Sequence, residues 1–299
     1  MKSAKNELNK YFEYINKNIP NVLEIKLVSR LLIKNLVFYV RTLEEEFAVK
    51  FYVKDLDKNF ETEITILKFF NKNHIINVAE LVRVDSTLDV GNVLVMKWIN
   101  GNSLKKIIKE NDFCGSRAYL TKMLEYLSKI WLCDFGDIEK DIKKEVYGID
   151  DRLGLSQDEI FSSITKLKPN INFKEIFSLY LKIKEEMKQE NFLINYDLSA
   201  HEYIVVGNTG YFIDFERFRI GDPNNDLARM FQSCTNGIYK DKQLFLNIYK
   251  LFCNNQFFKK KNFCFYLIEK LLCSIFVAAD ELADEQIDTY IEFIFTLYK

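Results

Sequence analysis

The first hundred residues alternate hydrophobic and polar positions in short runs that are typical of β-strands. Runs rich in β-branched and aromatic residues predict five strands, over residues 22–32, 36–42, 47–53, 81–84 and 93–98. Between the third and fourth runs, Phe60, Ile64, Leu67 and Phe70 recur at spacings of four and three residues. This spacing is that of a helix with one apolar face. The N-terminal part is therefore predicted to be a small sheet with one long helix.

After Gly101 the hydrophobic pattern changes to helical spacing. One stripe starts near Ser116 and contains Leu120, Met123, Leu124, Leu127, Ile130 and Trp131. Further helices are predicted over 173–188, 243–252, 263–282 and 285–298. Short β-rich runs at 203–206 and 211–215, joined by the sequence GNTG, predict a hairpin within this helical part. We predict two domains, residues 1–97 and 98–299.

Composition limits the possible classes of protein. Hydrophobic residues make up 48% of the 299 residues, and there are only ten glycines and three prolines, so packed cores are expected rather than disorder. The net charge of −1 indicates no nucleic-acid or membrane partner. The six cysteines form no C-x-x-C pair, and neither a signal peptide nor a membrane span is predicted. We expect a cytoplasmic protein.

Residues suited to phosphoryl transfer occur in a particular order along the chain. That reaction needs a lysine for the phosphates, a carboxylate near the acceptor hydroxyl, and oxygen ligands for magnesium. A lysine, Lys50, ends the run FAVK, Asp197 lies in the run NYDLSAHE, and Asp214 lies in the run IDFE. The run GDPNNDLA, which contains Asp226, follows at 221–228. From about residue 23 to 231, the chain resembles the aminoglycoside phosphotransferase and choline kinase superfamily; the run DLSAH is reminiscent of its spore-coat kinase-like branch.

The resemblance implies a fold and a set of roles. The fold would be α+β and protein-kinase-like, with a small β-rich N-terminal lobe and a larger helical C-terminal lobe. Asp197 would be the catalytic carboxylate, and Asp214 would bind Mg²⁺ that bridges the phosphates of ATP. Asp226 would support the catalytic loop and cap a helix N-terminus.

The resemblance also implies a nucleotide site in the N-terminal part. Lys50 would hold the ATP phosphates and would be fixed by Glu63, thirteen residues later, with Glu61 as the rival partner. The run VLVMKWING would be the hinge, and its segment at Met96 and Trp98 would bind the adenine.

Three positions depart from the family pattern. The expected glycine-rich phosphate turn reads SRLLIKN at 29–35 and contains no glycine, although Arg30 or Lys34 could supply charge. Asn195 stands where the family has histidine before the catalytic Asp. Glu202 stands where the family has the second metal ligand, an asparagine, and a glutamate can also ligate magnesium through oxygen.

Two functions are consistent with these features. The first is ATP-dependent phosphorylation of a hydroxyl on a small molecule such as an aminoglycoside, an amino alcohol or a sugar, by a monomer or weak homodimer. The second is a pseudokinase that binds nucleotide or a partner without turnover. A protein kinase is disfavoured, because Asp226 follows Asp214 by only 12 positions and leaves no room for a long activation segment. Acidic runs at 280–288 and 134–151 could bind a cationic acceptor or could simply face solvent.

Overall fold

The computed structural model describes residues 2–28, 35–52, 59–111, 113–145, 148–149, 154–188, 190–278 and 282–298. The glycine-free turn with Arg30 and Lys34, the last residue of the third predicted strand, and Asp151, Asp280 and Glu281 of the acidic runs lie outside these ranges. The chain divides into two compact units. The first comprises Met1–Gly101 and Tyr211–Arg217, and the second comprises Asn102–Gly210 and Phe218–Lys299.

A five-stranded antiparallel sheet forms the centre of the first unit, in the strand order β1-β2-β3-β5-β4. Its strands are β1 Val22–Leu27, β2 Asn35–Thr42, β3 Glu46–Tyr52, β4 Leu81–Thr87 and β5 Gly91–Lys97. Every second residue of β2 is buried, as the alternating sequence pattern predicts. All five predicted strands are therefore present.

In the described part of the first unit, two helices rather than one accompany this sheet. Helix α2, Asn59–Asn73, is the predicted helix. Helix α1, Lys2–Asn18, is not among the elements predicted from the sequence. Its residues Tyr11, Tyr14 and Ile15 are buried in one core with the apolar side chains of β2, β3 and β5. The apolar side chains of the sheet need a cover, and this tertiary requirement was not visible in the local pattern.

The second unit consists mainly of helices. They are α3 Leu104–Glu110, α4 Phe113–Leu132, α5 Gln157–Leu167, α6 Lys174–Lys184, α7 Pro223–Thr235, α8 Lys242–Cys253, α9 Lys260–Ala278 and α10 Asp284–Tyr298. Helix α9 is buried along most of its length, because α5, α6, α7 and α10 pack around it. Helix α5 was not predicted, although a capping box of Ser156 and Glu159 marks its start. In the described part of the chain, no helix is both long enough and apolar enough to cross a membrane.

Five short strands are also present in the described part of the chain. They are β6 Asn102–Ser103, β7 Phe192–Ile194, β8 Tyr203–Val206, β9 Thr209–Phe212 and β10 Arg219–Gly221. Strands β6, β8 and β9 form one small sheet, and β7 pairs with β10. The predicted hairpin is present, but its turn is shorter, with Gly207 in the left-handed region at φ 57°. Residue 210 must be glycine, since a Cβ there would overlap the ring of Tyr203.

Candidate active site

A buried lysine in the first unit is surrounded by three carboxylates. Lys50 Nζ lies 2.6 Å from Glu63 Oε2, 2.9 Å from Asp214 Oδ1 and 3.1 Å from Glu216 Oε2. The lysine side chain is 6% exposed and that of Glu63 only 1%. The predicted ion pair between Lys50 and Glu63 is thus present, and Glu61 is not the partner. The sequence did not indicate that Glu216 shares this lysine.

The protonation of this cluster follows from its charges. Burial alone would lower the pKa of Lys50, but the attraction of Asp214 and Glu63 outweighs it, so that the pKa lies well above its usual value. Burial raises the pKa of Glu63, although Lys50 opposes this shift. Lys50 is therefore a permanent ammonium at neutral pH, which is the form that would bind phosphate oxygens.

Asp214 lies two positions after the end of β9 and has an unusual backbone conformation. Its φ of 67° lies in the left-handed region, which aspartate tolerates better than most residues. The next residue, Phe215, is buried, packs edge-on against Phe70 and donates its amide to Glu63 Oε1 at 3.4 Å. Phe215 thus anchors the segment, while the carboxylate of Asp214 stays 43% exposed. Strain of this kind often accompanies functional residues.

The carboxylates of the cluster fit a divalent cation. One oxygen from each of Glu63, Asp214 and Glu216 lies within 4.8 Å of the others. Glu63 is already engaged by Lys50 and by the hydroxyl of Tyr52, which donates to the same oxygen. Asp214 and Glu216 still add negative charge beyond what one ammonium can neutralise. Hard oxygen ligands with excess negative charge suit Mg²⁺, and Asp214 is the most accessible of the three.

The predicted hinge forms the end of β5. Met96 and Trp98 are half-buried, and the ring of Trp98 packs edge-on against Tyr39 at 5.1 Å between centroids. The amides of Lys97 and Trp98 donate to the carbonyl oxygens of Glu80 and Glu46, both at 2.9 Å. A nucleobase at this segment could not use these two amides as donors without breaking those bonds. The adenine role of Met96 and Trp98 stays a prediction.

In the second unit, one buried carboxylate accepts hydrogen bonds from the start of the segment 195–202. Asp226 accepts the amides of Asn195 at 3.0 Å and Tyr196 at 2.9 Å, and the indole Nε1–H of Trp131 at 3.1 Å. Burial raises the pKa of Asp226 to about 6, although these donors oppose the shift. The predicted supporting role is thus present. The predicted helix cap is not Asp226 but Asp222, which accepts the amide of Asn224 at 2.8 Å.

Tyr196, immediately before Asp197, also has a φ in the left-handed region, at 71°. Its carbonyl oxygen accepts a 3.1 Å hydrogen bond from Lys270, a side chain of α9. The same ammonium lies 5.1 Å from the centre of the Tyr196 ring, and the guanidinium of Arg219 lies 5.7 Å from it. Cation–π contacts and hydrogen bonds therefore hold a conformation that a tyrosine rarely adopts.

Asp197, the predicted catalytic carboxylate, is paired with an arginine that the sequence analysis missed. Arg229 Nε lies 3.2 Å from Asp197 Oδ1, and the two side chains are 30% and 38% exposed. Arg229 follows Asp226 by three positions on α7, so both side chains lie on the same helix face. This spacing could have predicted that Arg229 lies near Asp197, because Asp226 was already expected to support the same loop.

Glu202, the predicted second metal ligand, has a local partner. Its Oε2 accepts the amide of Ser199 at 3.0 Å, and its own amide donates to the Ser199 carbonyl oxygen at 3.0 Å. This reciprocal pair closes the turn after Asp197. Its role as a metal ligand stays a prediction.

The acidic residues that were expected as one possible acceptor site carry cationic partners. Asp284 Oδ1 lies 3.0 Å from Lys168 Nζ, and Glu285 Oε2 lies 3.2 Å from Lys240 Nζ. These two carboxylates of α10 are accounted for by ion pairs near the surface.

Solved structures with the same fold include aminoglycoside phosphotransferases. One is a thermostable mutant of aminoglycoside phosphotransferase APH(4)-Ia in a ternary complex with AMP-PNP and hygromycin B, with a TM-score of 0.67, 10% identity, and coverage of 95% of this chain and 97% of that chain. Another is spectinomycin phosphotransferase APH(9)-Ia with ADP and spectinomycin, with a TM-score of 0.68, 11% identity, and coverage of 95% and 93%. The GDP complex of wild-type aminoglycoside 2'-phosphotransferase-IIIa has a TM-score of 0.68 and 10% identity, with 98% of each chain covered. These similarities confirm the predicted protein-kinase-like α+β fold.

Sequence comparison gives the family. No curated protein matches the chain. A family model described as the phosphotransferase enzyme family, APH, matches residues 32–243. The matched region includes Lys50, Asp197, Asp214 and Asp226, and it is well over half of the chain. The protein belongs to the phosphotransferase enzyme family.

Proposed function

We propose that this protein transfers the γ-phosphate of ATP to a hydroxyl group of a small molecule. The observation that carries the proposal is the buried cluster in which Lys50 is bound to Glu63 and Asp214 at 2.6 and 2.9 Å. A lysine and a partly exposed carboxylate held together in this way are the groups that phosphoryl transfer requires at the phosphates. Family membership and the ligands of the similar structures, AMP-PNP, ADP and GDP, support a purine nucleotide.

The roles of the residues follow from their chemistry. Lys50 would bind phosphate oxygens as a charged donor, and Glu63 would keep it extended. Asp214 would hold Mg²⁺, which when bound neutralises charge on the phosphates, and Glu202 is the proposed second ligand. Met96 and Trp98 would contact the base. Asp197, with its exposed carboxylate, would orient the acceptor hydroxyl and receive its proton.

The experiment compares three variants in the presence and absence of Mg²⁺. Lys50→Ala is expected to weaken ATP binding, because a charged phosphate donor is lost. Asp214→Asn is expected to remove the magnesium dependence of binding. Asp197→Asn is expected to keep nucleotide affinity and to lower turnover by about 10²–10⁴-fold, since only the proton acceptor is lost. Nucleotide affinity is measured by calorimetry and turnover by ADP release; three variants that all behave like the parent would contradict the proposal.

A pseudokinase is the second candidate, and Glu202 is the observation that favours it. The residue carries a charge where the family has an amide, and its carboxylate is bound to the Ser199 amide. Glu202→Asn separates the two functions. Gain of ATP turnover in this variant would identify the natural protein as an impaired kinase, whereas loss of turnover with weaker magnesium binding would identify Glu202 as a working ligand.

A further inference from the structure

The guanidinium beside Asp197 is held in place from two directions. Arg229 Nε donates to Asp197 Oδ1 at 3.2 Å, and its Nη1 donates to Gln232 Oε1 at 3.3 Å. Gln232 in turn donates to Ser274 Oγ at 3.2 Å. A chain of side chains from α7 to α9 thus fixes a permanent positive charge next to the carboxylate that would receive the hydroxyl proton. Because Arg229 is 30% exposed, a bound molecule can reach it.

Two further cations lie close to Tyr196, the residue that precedes Asp197. Lys270 and Arg219 both approach the ring of Tyr196, at 5.1 and 5.7 Å. The nearby acid Asp226 is fully buried, and its oxygens already accept three N–H groups. Because it is buried and bound to these groups, Asp226 does not present a carboxylate to an acceptor.

This arrangement disfavours a cationic acceptor. An ammonium group bound beside Asp197 would face the Arg229 guanidinium at short range, whereas a carboxylate or phosphate would receive charge-assisted hydrogen bonds from it. Asp284 and Glu285, two members of the acidic run that could have bound a cationic acceptor, are paired with Lys168 and Lys240. A third member, Asp288, lies near Asp284 and Glu292.

We propose that Arg229 is a specificity-determining residue that selects an anionic acceptor, a small hydroxy acid or a hydroxylated phosphate ester. Binding to both Asp197 and Arg229 would place the hydroxyl and the anionic group about 4–6 Å apart, the span of two or three carbon atoms. This inference rests on the proposed phosphotransferase function. It separates the acceptor of this protein from hygromycin B and spectinomycin, the compounds in the similar structures.

The experiment uses matched pairs of compounds that differ in charge. Glycerate is compared with glycerol, 4-hydroxybutyrate with 1,4-butanediol, and glycerol 3-phosphate with glycerol, while choline and hygromycin B serve as cationic probes. ADP formation with MgATP is measured for the parent protein, for Arg229→Gln, and for Arg117→Gln, in which an exposed arginine of α4 is changed. Binding of each compound in the presence of Mg²⁺ and AMP-PNP is measured in parallel by calorimetry.

The expected result is that the parent binds or uses at least one anionic compound about 10–100-fold better than its uncharged counterpart. Arg229→Gln should remove this preference, and Arg117→Gln should keep it. The inference is overturned if the parent favours the cationic probes, if charge makes no difference to binding and turnover, or if Arg229→Gln keeps the preference. Failure of the parent to bind MgATP would instead contradict the proposed function, so that the two failures are distinguishable.

Discussion

Lys270 Nζ donates a hydrogen bond to the Tyr196 carbonyl oxygen at 3.1 Å and lies 5.1 Å from the centre of the Tyr196 ring. Tyr196 has a φ of 71° and precedes Asp197. Asp226 accepts the amide of the same residue at 2.9 Å. Both polar groups of a strained backbone unit are thus bound by side chains from two different helices. The direction of the Asp197 carboxylate therefore depends on α7 and α9, far from it in sequence.

The first prediction concerns Lys270, which is 3% exposed. Lys270→Met should lower the free energy of unfolding by about 1–3 kcal/mol, because the Tyr196 carbonyl loses its donor. Turnover should fall more than acceptor or ATP affinity, because Asp197 is displaced rather than removed. The matched control is Lys260→Met at an exposed position of the same helix. Urea denaturation and steady-state kinetics provide the two readouts. Unchanged turnover in the Lys270 variant would show that the hydrogen bond from Lys270 to the Tyr196 carbonyl is not needed for turnover.

The second prediction concerns the charge balance at Lys50. Lys50→Ala leaves Glu63, Asp214 and Glu216 without their ammonium, so the free energy of unfolding should fall by about 3–5 kcal/mol. A divalent cation could replace part of the lost charge, and Mg²⁺ should therefore stabilise this variant more than it stabilises the parent. Lys68→Ala, at an exposed position of α2, is the control. Equal magnesium effects on the thermal midpoints of parent and variant would argue against a cation site in the cluster.

The third prediction tests the support that Asp226 gives to the segment 195–202. In Asp226→Asn, one oxygen can still accept the Asn195 amide and the Trp131 indole, but the new amide group faces the Tyr196 N–H, which loses its acceptor. A loss of about 1–3 kcal/mol in stability and a lower turnover are expected. Hydrogen exchange of the Tyr196 amide is the direct measurement. Slow exchange like that of the parent would contradict this account.

The fourth prediction is a pH dependence that arises from Glu145 in the second unit. This buried carboxylate accepts the Asp222 amide at 3.0 Å, the Tyr266 hydroxyl at 3.1 Å and the side-chain amide of Asn225. Burial is the main cause that raises its pKa to about 7, Glu269 adds to the shift, and Lys270 opposes it. A group whose folded-state pKa is raised binds more protons in the folded state, so stability is lost as the pH rises from about 4.5 to about 7.

Glu145→Gln should remove this part of the pH dependence. A neutral amide keeps one acceptor for the Asp222 and Tyr266 donors. Asn225, whose Oδ1 has no hydrogen-bond partner among the described residues, can rotate its amide to accept the new N–H. The free energy of unfolding of the variant minus that of the parent is the quantity to compare. This difference should be roughly 2–4 kcal/mol larger above pH 7 than at pH 4.5. Glu139→Gln, at an exposed position, is the control. Parallel stability curves of parent and Glu145→Gln between pH 4.5 and 8 would contradict the assignment.

The sequence by itself determined the local elements and the identity of several candidate site residues. Alternation predicted the strands, the three–four spacing predicted α2, and the order of Lys50, Asp197, Asp214 and Asp226 indicated the fold and the chemistry. These features depend on residues that are neighbours in sequence or on motifs with a fixed order. The ion pair of Lys50 with Glu63 was also predictable, because a known motif specifies it.

The tertiary structure alone decided which other side chains share these positions. Three contacts join residues that are far apart in sequence. They are the contacts of Glu216 with Lys50, Arg229 with Asp197, and Lys270 with Tyr196, which are 166, 32 and 74 positions apart. Such contacts depend on how helices and strands pack, and no local pattern encodes that packing. Helix α1 was missed for the same reason, since its apolar face has meaning only against the sheet that it covers. The charge around Asp197, and with it the inferred class of acceptor, is therefore a property of the folded chain.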